Sequence, residues 1–327
     1  MPEIKIYVSN RIDLPSEQID NALYVPVRCG AVYDRENPLG LPGDDTGENI
    51  SEKRMSFSEL TVQYWAWKNS GASYIGLCHY RRFLSFSDRT FPADRYAMVH
   101  VPYMLPEEIR RFGLLDREAI EKTITEYDAV TSVPADVRTM PTPDGRPVRT
   151  VREWWEAQNG RYFPVGTVDR ILELIDLFAP SYSRAAGEYL RGTRFRGNNC
   201  FVMKRELFDV LCRFEFPILF ELERRLETES PAWKDSRAPG YAGEILYGVF
   251  FQALSAAGNY RFLERQLVYF RDASRITGPE DLRKRRRSAR VLAVARPIST
   301  ALFPVGSPRR EKLKSIWKAV TRHGNET

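Results

Sequence analysis

Short apolar runs rich in β-branched and aromatic residues alternate with longer amphipathic stretches over most of the chain. The runs predict buried strands at residues 4–8, 24–27, 74–78, 128–133, 198–203 and 261–270. The amphipathic stretches repeat apolar residues at helical spacing and predict helices at residues 57–70, 116–126, 168–178, 205–226 and from 240 onward. This order is typical of an α/β fold in which helices cover a mainly parallel sheet.

Three local signals predict where the helices begin or bend. Ser56-Phe57-Ser58-Glu59 has the spacing of a capping box at the start of the helix that follows. Asp116 is placed to cap the next predicted helix. Pro217 lies inside a long helical stretch and predicts a kink or a break there, because proline removes a backbone hydrogen bond.

Two segments interrupt the alternation of strands and helices. Residues 37–50 are rich in Gly, Pro and Asp, and residues 134–160 are rich in Pro, Arg and Trp. Long polar loops in a folded domain are more often functional than idle. We therefore expect both segments near a substrate.

The charge of the chain is unevenly distributed. The 327 residues carry a net charge of +6, but the segment from Arg283 onward holds 13 Lys and Arg against two Glu. The preceding 282 residues hold 36 basic and 41 acidic groups. We therefore expect a folded domain over residues 1–275 and a basic tail over residues 276–327, with an anionic partner for the tail.

The tail favours a membrane surface over a nucleic acid as that partner. Basic and apolar residues alternate along it, whereas aromatic residues that could stack on bases are not interleaved with its arginine run. Pro297 is expected to limit any long helix in the tail. The chain opens without a secretory signal and has no run of about 20 apolar residues. We expect a cytoplasmic protein held at the inner face of the cell membrane.

The common metal and nucleotide motifs are absent from the sequence. The four cysteines have no Cys-x-x-Cys spacing, only three histidines are present, and no Asp-x-Asp pair occurs. No P-loop or G-x-G-x-x-G turn occurs either. The sequence predicts no metal site and no cofactor.

The clearest candidate for chemistry is the cluster His79-Tyr80-Arg81-Arg82, which follows a buried strand at the edge of the sheet where α/β folds bind ligands. Two guanidiniums can bind a diphosphate and neutralise its charge as it leaves, a task that a metal often performs. The alternative is a surface arginine pair in salt bridges, with His79 as a satisfied core residue.

Several motifs together resemble a known family. They are Thr46-Gly47-Glu48-Asn49-Ile50-Ser51, the helix segment from Glu59 to Asn69, Gly76-Leu77-Cys78-His79-Tyr80-Arg81-Arg82-Phe83, Asn199-Cys200-Phe201-Val202-Met203-Lys204 and Pro239-Gly240-Tyr241-Ala242-Gly243-Glu244. Over about residues 3–270 the chain is similar to the bacterial capsule and O-antigen glycosyltransferases long catalogued as a domain of unknown function. The resemblance implies a GT-A-like fold and, for some members, galactofuranosyl transfer from a UDP-sugar.

An inverting transfer needs a base to take the proton of the acceptor hydroxyl, and Glu244 at the start of a helix suits that role. The alternative is that Glu244 only stabilises its helix. Asp235 is the second candidate base. Arg237 is placed to bind the diphosphate, or to pair with Asp235 instead.

Five further residues are candidates for binding the nucleotide or the sugar. Ser9, Asp45 and Asn49 can read uracil or ribose, with turn formation as the alternative for the loop residues. Asn198 and Asn199 can hold sugar hydroxyls, with capping of a strand as the alternative.

The resemblance favours an inverting galactofuranosyltransferase that acts on a lipid-linked or polysaccharide acceptor. Two alternatives stay open. One is a retaining transferase that uses a UDP-hexopyranose. The other is a non-catalytic glycan-binding or assembly subunit, which the missing Asp-x-Asp allows, as does Ile245 where family members usually carry Arg.

Overall fold

The computed structural model describes residues 2–234 and 236–302, with side chains to residue 293. Its strands are β1 Ile4–Arg11, β2 Tyr24–Cys29, β3 Tyr74–His79, β4 Arg82–Leu84, β5 Met98–Tyr103, β6 Ala129–Ser132, β7 Ala135–Asp136, β8 Arg194–Phe195, β9 Phe201–Lys204, β10 Phe262–Arg265 and β11 Leu267–Asp272. Its helices are α1 Arg54–Phe57, α2 Leu60–Asn69, α3 Pro106–Arg111, α4 Arg117–Thr125, α5 Val151–Glu156, α6 Thr167–Phe178, α7 Ser183–Arg191, α8 Arg205–Glu229, α9 Ala238–Ala257 and α10 Pro279–Leu302. Short 3-10 turns lie at Ala31–Tyr33, Ser51–Lys53, Val137–Thr139, Pro180–Tyr182 and Pro231–Trp233.

Nine of these strands form one sheet. β1 is parallel to β2 and to β3, while β9 runs antiparallel between β3 and β6, and β10 is parallel to β6. On a second branch β4 is antiparallel to β3 and to β11, and β11 is parallel to β5. β7 and β8 form a separate antiparallel pair.

The α/β class is confirmed, but the prediction of a mainly parallel sheet is wrong. Four pairings of this sheet are parallel and four are antiparallel among the described strands. β4 follows β3 after the two residues Tyr80 and Arg81, and so short a connection can only return the chain antiparallel. The same turn places the predicted arginine cluster.

The sheet separates two hydrophobic cores. Side chains from α2, α8 and α9, such as Leu60, Leu211 and Leu246, pack on one face. Ile109 and Ile120 from α3 and α4 pack on the other face. β1 and β3 are buried along almost their whole length, which makes them a rigid support for the residues at their ends.

Glycine is required at the centre of β3. A Cβ atom on Gly76 would lie 2.8 Å from Val202 Cγ2 and 2.9 Å from the carbonyl oxygen of Phe201. Those atoms belong to β9, so Gly76 allows the two strands to pair closely.

The structure confirms one of the three helix signals and corrects another. Asp116 caps α4, accepting the Ala119 N–H at 3.1 Å, as predicted. The predicted capping box is wrong. Ser58 has a φ of 50°, which separates α1 from α2, and the Glu59 carboxylate accepts the side-chain amide of Asn199. α8 is one continuous helix through Pro217, which excludes a break there, while a kink at Pro217 stays a prediction.

The loop over residues 37–50 is held from inside by Asp44. Its fully buried carboxylate accepts the backbone N–H groups of Gly30 and Ala31 at 2.9–3.0 Å. It also accepts the hydroxyls of Ser51 and Thr61 at 2.5 Å. This network ties β2, the loop and α2 together beside the carboxyl end of β1.

The chain divides into two units, Met1–Arg275 and Ile276–Thr327. The described part of the second unit consists of residues 276–278 and α10, whose first turns contain an Asp281–Arg285 ion pair at 3.0 Å. α10 runs through Pro297, so proline does not limit the helix there as the sequence suggested. The later part of the predicted amphipathic tail, residues 303–327, lies outside the described residues. No helix in the described ranges has the length and apolar character needed to cross a membrane.

Candidate active site

A cavity of about 450 Å³ opens at the carboxyl ends of β1 and β3. Four of the predicted residues lie on its wall: Ser9, His79, Arg81 and Arg237. The same wall contains residues that were not singled out from the sequence, namely Asn10, Arg11, Asp13, Arg54 and Glu59. The cavity therefore combines several cations with few carboxylates at the ligand-binding edge of an α/β sheet.

The turn that carries the arginine cluster is fixed by its backbone. The Tyr80 N–H donates to the Ser9 carbonyl at 3.0 Å, and the Phe270 N–H donates to the Arg81 carbonyl at 2.9 Å. The turn is thus attached to β1 on one side and to β11 on the other. Residues on such a turn keep their positions without help from a ligand.

The guanidiniums of Arg81 and Arg82 pack on aromatic rings. Arg81 lies 5.1 Å from the ring centre of Tyr80, and the two guanidiniums lie 5.4 and 5.7 Å from that of Tyr269. The Nε atom of each arginine is buried without an acceptor among the described residues. Neither has a carboxylate oxygen within 4.0 Å in that part of the chain, in contrast to the salt-bridged surface pair considered above. Both are therefore available to an anion.

His79 is held as a neutral donor. Its Nδ1 accepts the Arg81 backbone N–H at 3.4 Å, which leaves the hydrogen on Nε2. Burial, and then the charges of Arg82, Arg81, Arg237 and Arg11, lower the pKa of His79 well below its usual value. A neutral imidazole in this position can donate a hydrogen bond to a phosphate oxygen.

Glu244 lies in the second turn of α9, next to the cavity residues. Its carboxylate accepts the backbone N–H of Asn198, and its Oε2 lies against the backbone of Gly197. Burial and the nearby charge of Glu59 raise the pKa of Glu244 to about 7, although Arg82 and Arg237 act in the opposite direction. A carboxylate with that pKa can accept a proton near neutral pH.

Glu59 is the main residue that the sequence reasoning missed. It precedes α2, where its Oε1 accepts the Asn199 side-chain amide at 3.4 Å and its Oε2 lies 3.9 Å from Arg237 Nη2. The helical apolar pattern begins at Leu60, after Glu59, whereas a capping box needs its Glu inside the first turn. That offset could have shown that Glu59 faces the site.

The two asparagines before β9 adopt left-handed backbone conformations, with a φ of 69° at Asn198 and 42° at Asn199. Asparagine tolerates this conformation better than most residues. The turn places the Asn198 N–H on Glu244 and the Asn199 amide on Glu59. Both asparagines thus contact the two carboxylates of the site.

The remaining predicted residues lie apart from the cavity wall. Asn49 uses its amide locally, donating to the Gly47 carbonyl at 3.0 Å and accepting the Ser51 N–H at 3.1 Å. Asp45 is exposed on the same loop. Asp235 lies outside the described residues.

Metal-binding side chains are not clustered in the parts of the chain that the structure describes. No group of three His, Cys, Asp or Glu side chains is arranged there to hold a metal ion. The ionisable groups that do meet include guanidiniums, one imidazole and the carboxylates of Asp13, Glu59 and Glu244.

The pKa of Glu244 predicts opposite pH dependences for activity and stability. If Glu244 is a base, kcat/KM should rise about tenfold per pH unit below about pH 7 and then level off. Its folded pKa lies above its ordinary value of 4.5. Ionising Glu244 therefore costs folding free energy, and its contribution to stability is lost as pH rises from about 4.5 through 7.

Activity profiles and urea unfolding at pH 5–9 test this prediction. Glu215 is the matched control, because burial raises its pKa to about 8 but its carboxylate bonds Gln63 inside the helical core. Glu215→Gln should change the stability profile and leave the activity profile in place. An activity profile that is flat from pH 5 to 8 would contradict a titrating base at Glu244.

Gly197→Ala should impair the site without touching the cavity wall. A Cβ atom there would lie 2.5 Å from Glu244 Oε2 and 2.4 Å from the Phe195 ring, so one or both must move. We expect kcat to fall at least about tenfold, since small misplacements of catalytic groups are costly. Gly187→Ala on α7, where the nearest atom is the mobile Arg191 Nη1 at 3.2 Å, is the control. Equal kcat values for Gly197→Ala and wild type would show that the rate of transfer does not depend on the position of the Glu244 carboxylate.

A comparison with known protein families assigns this chain to one of them. Residues 5–255 match the family described as a domain of unknown function (DUF4422), and that span includes every site residue from Ser9 to Glu244. The chain belongs to this family, which confirms the resemblance at that level.

One solved structure that has a similar fold is that of a glycosyltransferase. The chain is similar to the apo structure of the bifunctional glycosyltransferase WbbM, with a TM-score of 0.72 and 28% sequence identity. The similarity covers 82% of this chain and 45% of WbbM, so this chain spans less than half the length of that protein. No curated protein sequence matches the chain significantly.

Proposed function

We propose that residues 1–275 form a GT-A-like glycosyltransferase domain that uses a UDP-sugar. The observation that carries this proposal is the pair Arg81 and Arg82, whose Nε atoms are buried without acceptors among the described residues, beside a carboxylate with a pKa of about 7. A diphosphate supplies the missing acceptors and an acceptor hydroxyl supplies the proton. The similarity to WbbM, itself described as a glycosyltransferase, supports the same class.

In this proposal the cations hold the leaving group. Arg81 and Arg237 reach the diphosphate from the cavity wall, Arg82 adds its charge from the start of β4, and His79 donates through Nε2. As the bond between the anomeric carbon and the phosphate oxygen breaks, UDP keeps the electron pair and the guanidiniums neutralise it. We propose that this replaces a divalent metal. Ser9 lies at the nucleotide end, and we assign no direct contact to Asp45 or Asn49.

Glu244 is the proposed base. The acceptor oxygen attacks the anomeric carbon from the side opposite UDP, and its proton passes to the Glu244 carboxylate. One displacement inverts the anomeric centre, so an α-linked donor gives a β-linked product. Asp235 remains the second candidate. We favour galactofuranose as the sugar and a lipid-linked or polysaccharide acceptor, on the family resemblance.

Turnover with defined donors tests the proposal. UDP-galactofuranose and UDP-galactopyranose are each incubated with a galactoside acceptor, with EDTA or with manganese, and the product is examined by proton NMR. We expect transfer from UDP-galactofuranose, a β anomeric signal and no loss in EDTA. An α product would favour the retaining alternative. UDP binding without any transfer would favour a glycan-binding subunit.

We also propose that the basic unit holds the protein at the inner face of the membrane. Arg283, Lys284, Arg287 and Arg290 are exposed on α10. Each basic residue near an anionic leaflet contributes about 1 kcal/mol. The full chain should therefore co-sediment with phosphatidylglycerol vesicles at low salt and much less at high salt. A version ending at Gly278 should stay in solution, and equal sedimentation of the two would refute this anchor.

A further inference from the structure

A second cavity, of about 350 Å³, lies where β10 ends and β11 begins. Its wall is formed by the segment from Ser85 to Ala97, by Val133 after β6, and by Glu264, Arg265 and Gln266. None of these residues was assigned a function above. We refer to this space as the second cavity.

Arg265 has a donor in this cavity that the described residues do not satisfy. Its Nε is buried without an acceptor, and its Nη1 makes one long hydrogen bond, 3.4 Å, to the Ser87 carbonyl. No carboxylate oxygen lies within 4.0 Å of its guanidinium in the described part of the chain. Among the buried side-chain atoms that lack partners in the described ranges, three are arginine Nε atoms, those of Arg81, Arg82 and Arg265. A buried arginine Nε without an acceptor calls for an anion in the same way at both places.

The charges around the second cavity also favour an anion. Glu264 is on its wall, but Arg196 binds that carboxylate at 2.6 Å and Arg194 binds it at 3.2 Å. Arg89 is exposed at the rim beside Asp88. On the wall itself Arg89 and Arg265 meet Asp88 and Glu264. Since Arg194 and Arg196 already hold the Glu264 carboxylate from outside the wall, positive charge is in excess around the cavity.

The second cavity is separate from the first but lies close to the same carboxylate. Arg265 lies four residues before Tyr269, the ring on which Arg81 and Arg82 pack. Four residues of extended chain span about 13 Å. Arg196, which binds Glu264, directly precedes Gly197 and Asn198, which contact Glu244. The second cavity is thus linked through Arg196 to the turn that contacts Glu244, which allows one acceptor to place a hydroxyl near Glu244 and an anion here.

We propose that the second cavity binds a phosphate group of the acceptor, through Nε and Nη of Arg265 with Arg89 at the rim. This inference rests on the proposed function, because it assumes that Glu244 receives the acceptor hydroxyl. It adds that the acceptor is a phosphate ester. A planar guanidinium offers two parallel donors, which match two phosphate oxygens.

Titration calorimetry tests this with UDP at saturation, so that the first cavity is filled. The probes are geranyl phosphate and inorganic phosphate. Arg265→Gln removes the charge, Arg89→Gln does so at an exposed position that folding does not require, and Arg213→Gln on the outer face of α8 is the control. We expect Arg265→Gln to weaken binding about 10- to 100-fold, Arg89→Gln to weaken it less, and the control to leave it unchanged.

The outcomes of this experiment distinguish the possible sources of the phosphate. They also distinguish failure of the second site from failure of the proposed function. Tighter binding of geranyl phosphate identifies a lipid-linked acceptor, and equal binding of both probes identifies the phosphate alone. No binding of either probe, or equal binding by wild type, Arg265→Gln and Arg89→Gln, overturns the second site. If wild type binds no UDP but still binds phosphate through Arg265, the proposed function fails and the anion site stands.

Kinetics provides a second readout that a purely structural role would not move. With a phosphate-bearing acceptor, Arg265→Gln should raise the acceptor KM at least about tenfold while the donor KM stays constant. With an uncharged galactoside acceptor the variant should match wild type. A uniform loss with both acceptors would mean that Arg265 acts on folding or on the donor, which contradicts the proposal.

Discussion

Glu244→Gln is expected to bind UDP normally and to lose transfer by about 10²- to 10⁴-fold, the contribution typical of a general base. The amide keeps the size of the side chain and can still accept the Asn198 N–H through its oxygen. It cannot take a proton from the acceptor. UDP affinity by calorimetry and the single-turnover rate of transfer measure the two effects separately.

Two other carboxyl variants show whether the loss is specific to Glu244. Glu59→Gln removes a charge that raises the pKa of Glu244, so its activity profile should shift to lower pH rather than disappear. Asp235→Asn tests the second candidate base. If Asp235→Asn abolishes transfer while Glu244→Gln turns over normally, the base is Asp235.

Arg81→Ala and Arg82→Ala are each expected to reduce kcat/KM by about 10²- to 10³-fold, the cost of one transition-state donor. Arg→Lys should recover only part of this, because an ammonium lacks the planar fork. Thermal stability should change little, since neither guanidinium has a carboxylate partner within 4.0 Å among the described residues. Only the packing on Tyr269 and, for Arg81, on Tyr80 is lost, worth about 0.5–1 kcal/mol for each ring.

The control for these variants is an arginine with a structural role. Arg28 is buried, bonds the Asp34 carboxylate at 3.0 Å and donates to the Leu41 carbonyl at 3.0 Å. Arg28→Ala should therefore lower the melting temperature and leave the activity per folded molecule intact. If Arg81→Ala behaves in this way instead, Arg81 is structural and the diphosphate assignment is wrong.

The sequence was most informative where one element dominates its surroundings. β1 and β3 are short, apolar and almost fully buried, so their place in the sheet and the position of Ser9 and His79 at their ends follow from the pattern. The direction of β4 and β9 does not follow from composition. It depends on the two-residue turn after His79 and on the left-handed turn at Asn198 and Asn199.

In the candidate site, too, some residues could be predicted from the sequence and others could not. Arg81, Arg237 and Glu244 could be proposed because their residue types suit the chemistry and the sequence predicts each of them at an element boundary; Glu244 in fact lies in the second turn of α9. Glu59 had only the offset of the apolar pattern to indicate it, because its contacts depend on the positive φ of Ser58 and on Asn199, which is distant in sequence. The second cavity could not be predicted from the sequence either, since it is formed by three segments that are far apart in sequence.

A crystal structure with UDP bound tests the central claim most directly, that the cavity at the ends of β1 and β3 binds the diphosphate of the donor. We expect phosphate oxygens within about 3 Å of Arg81 Nε and of the Arg237 guanidinium, with the uridine extending toward Ser9. UDP bound in another part of the molecule, with no phosphate oxygen in contact with Arg81, Arg82 or Arg237, would contradict the account.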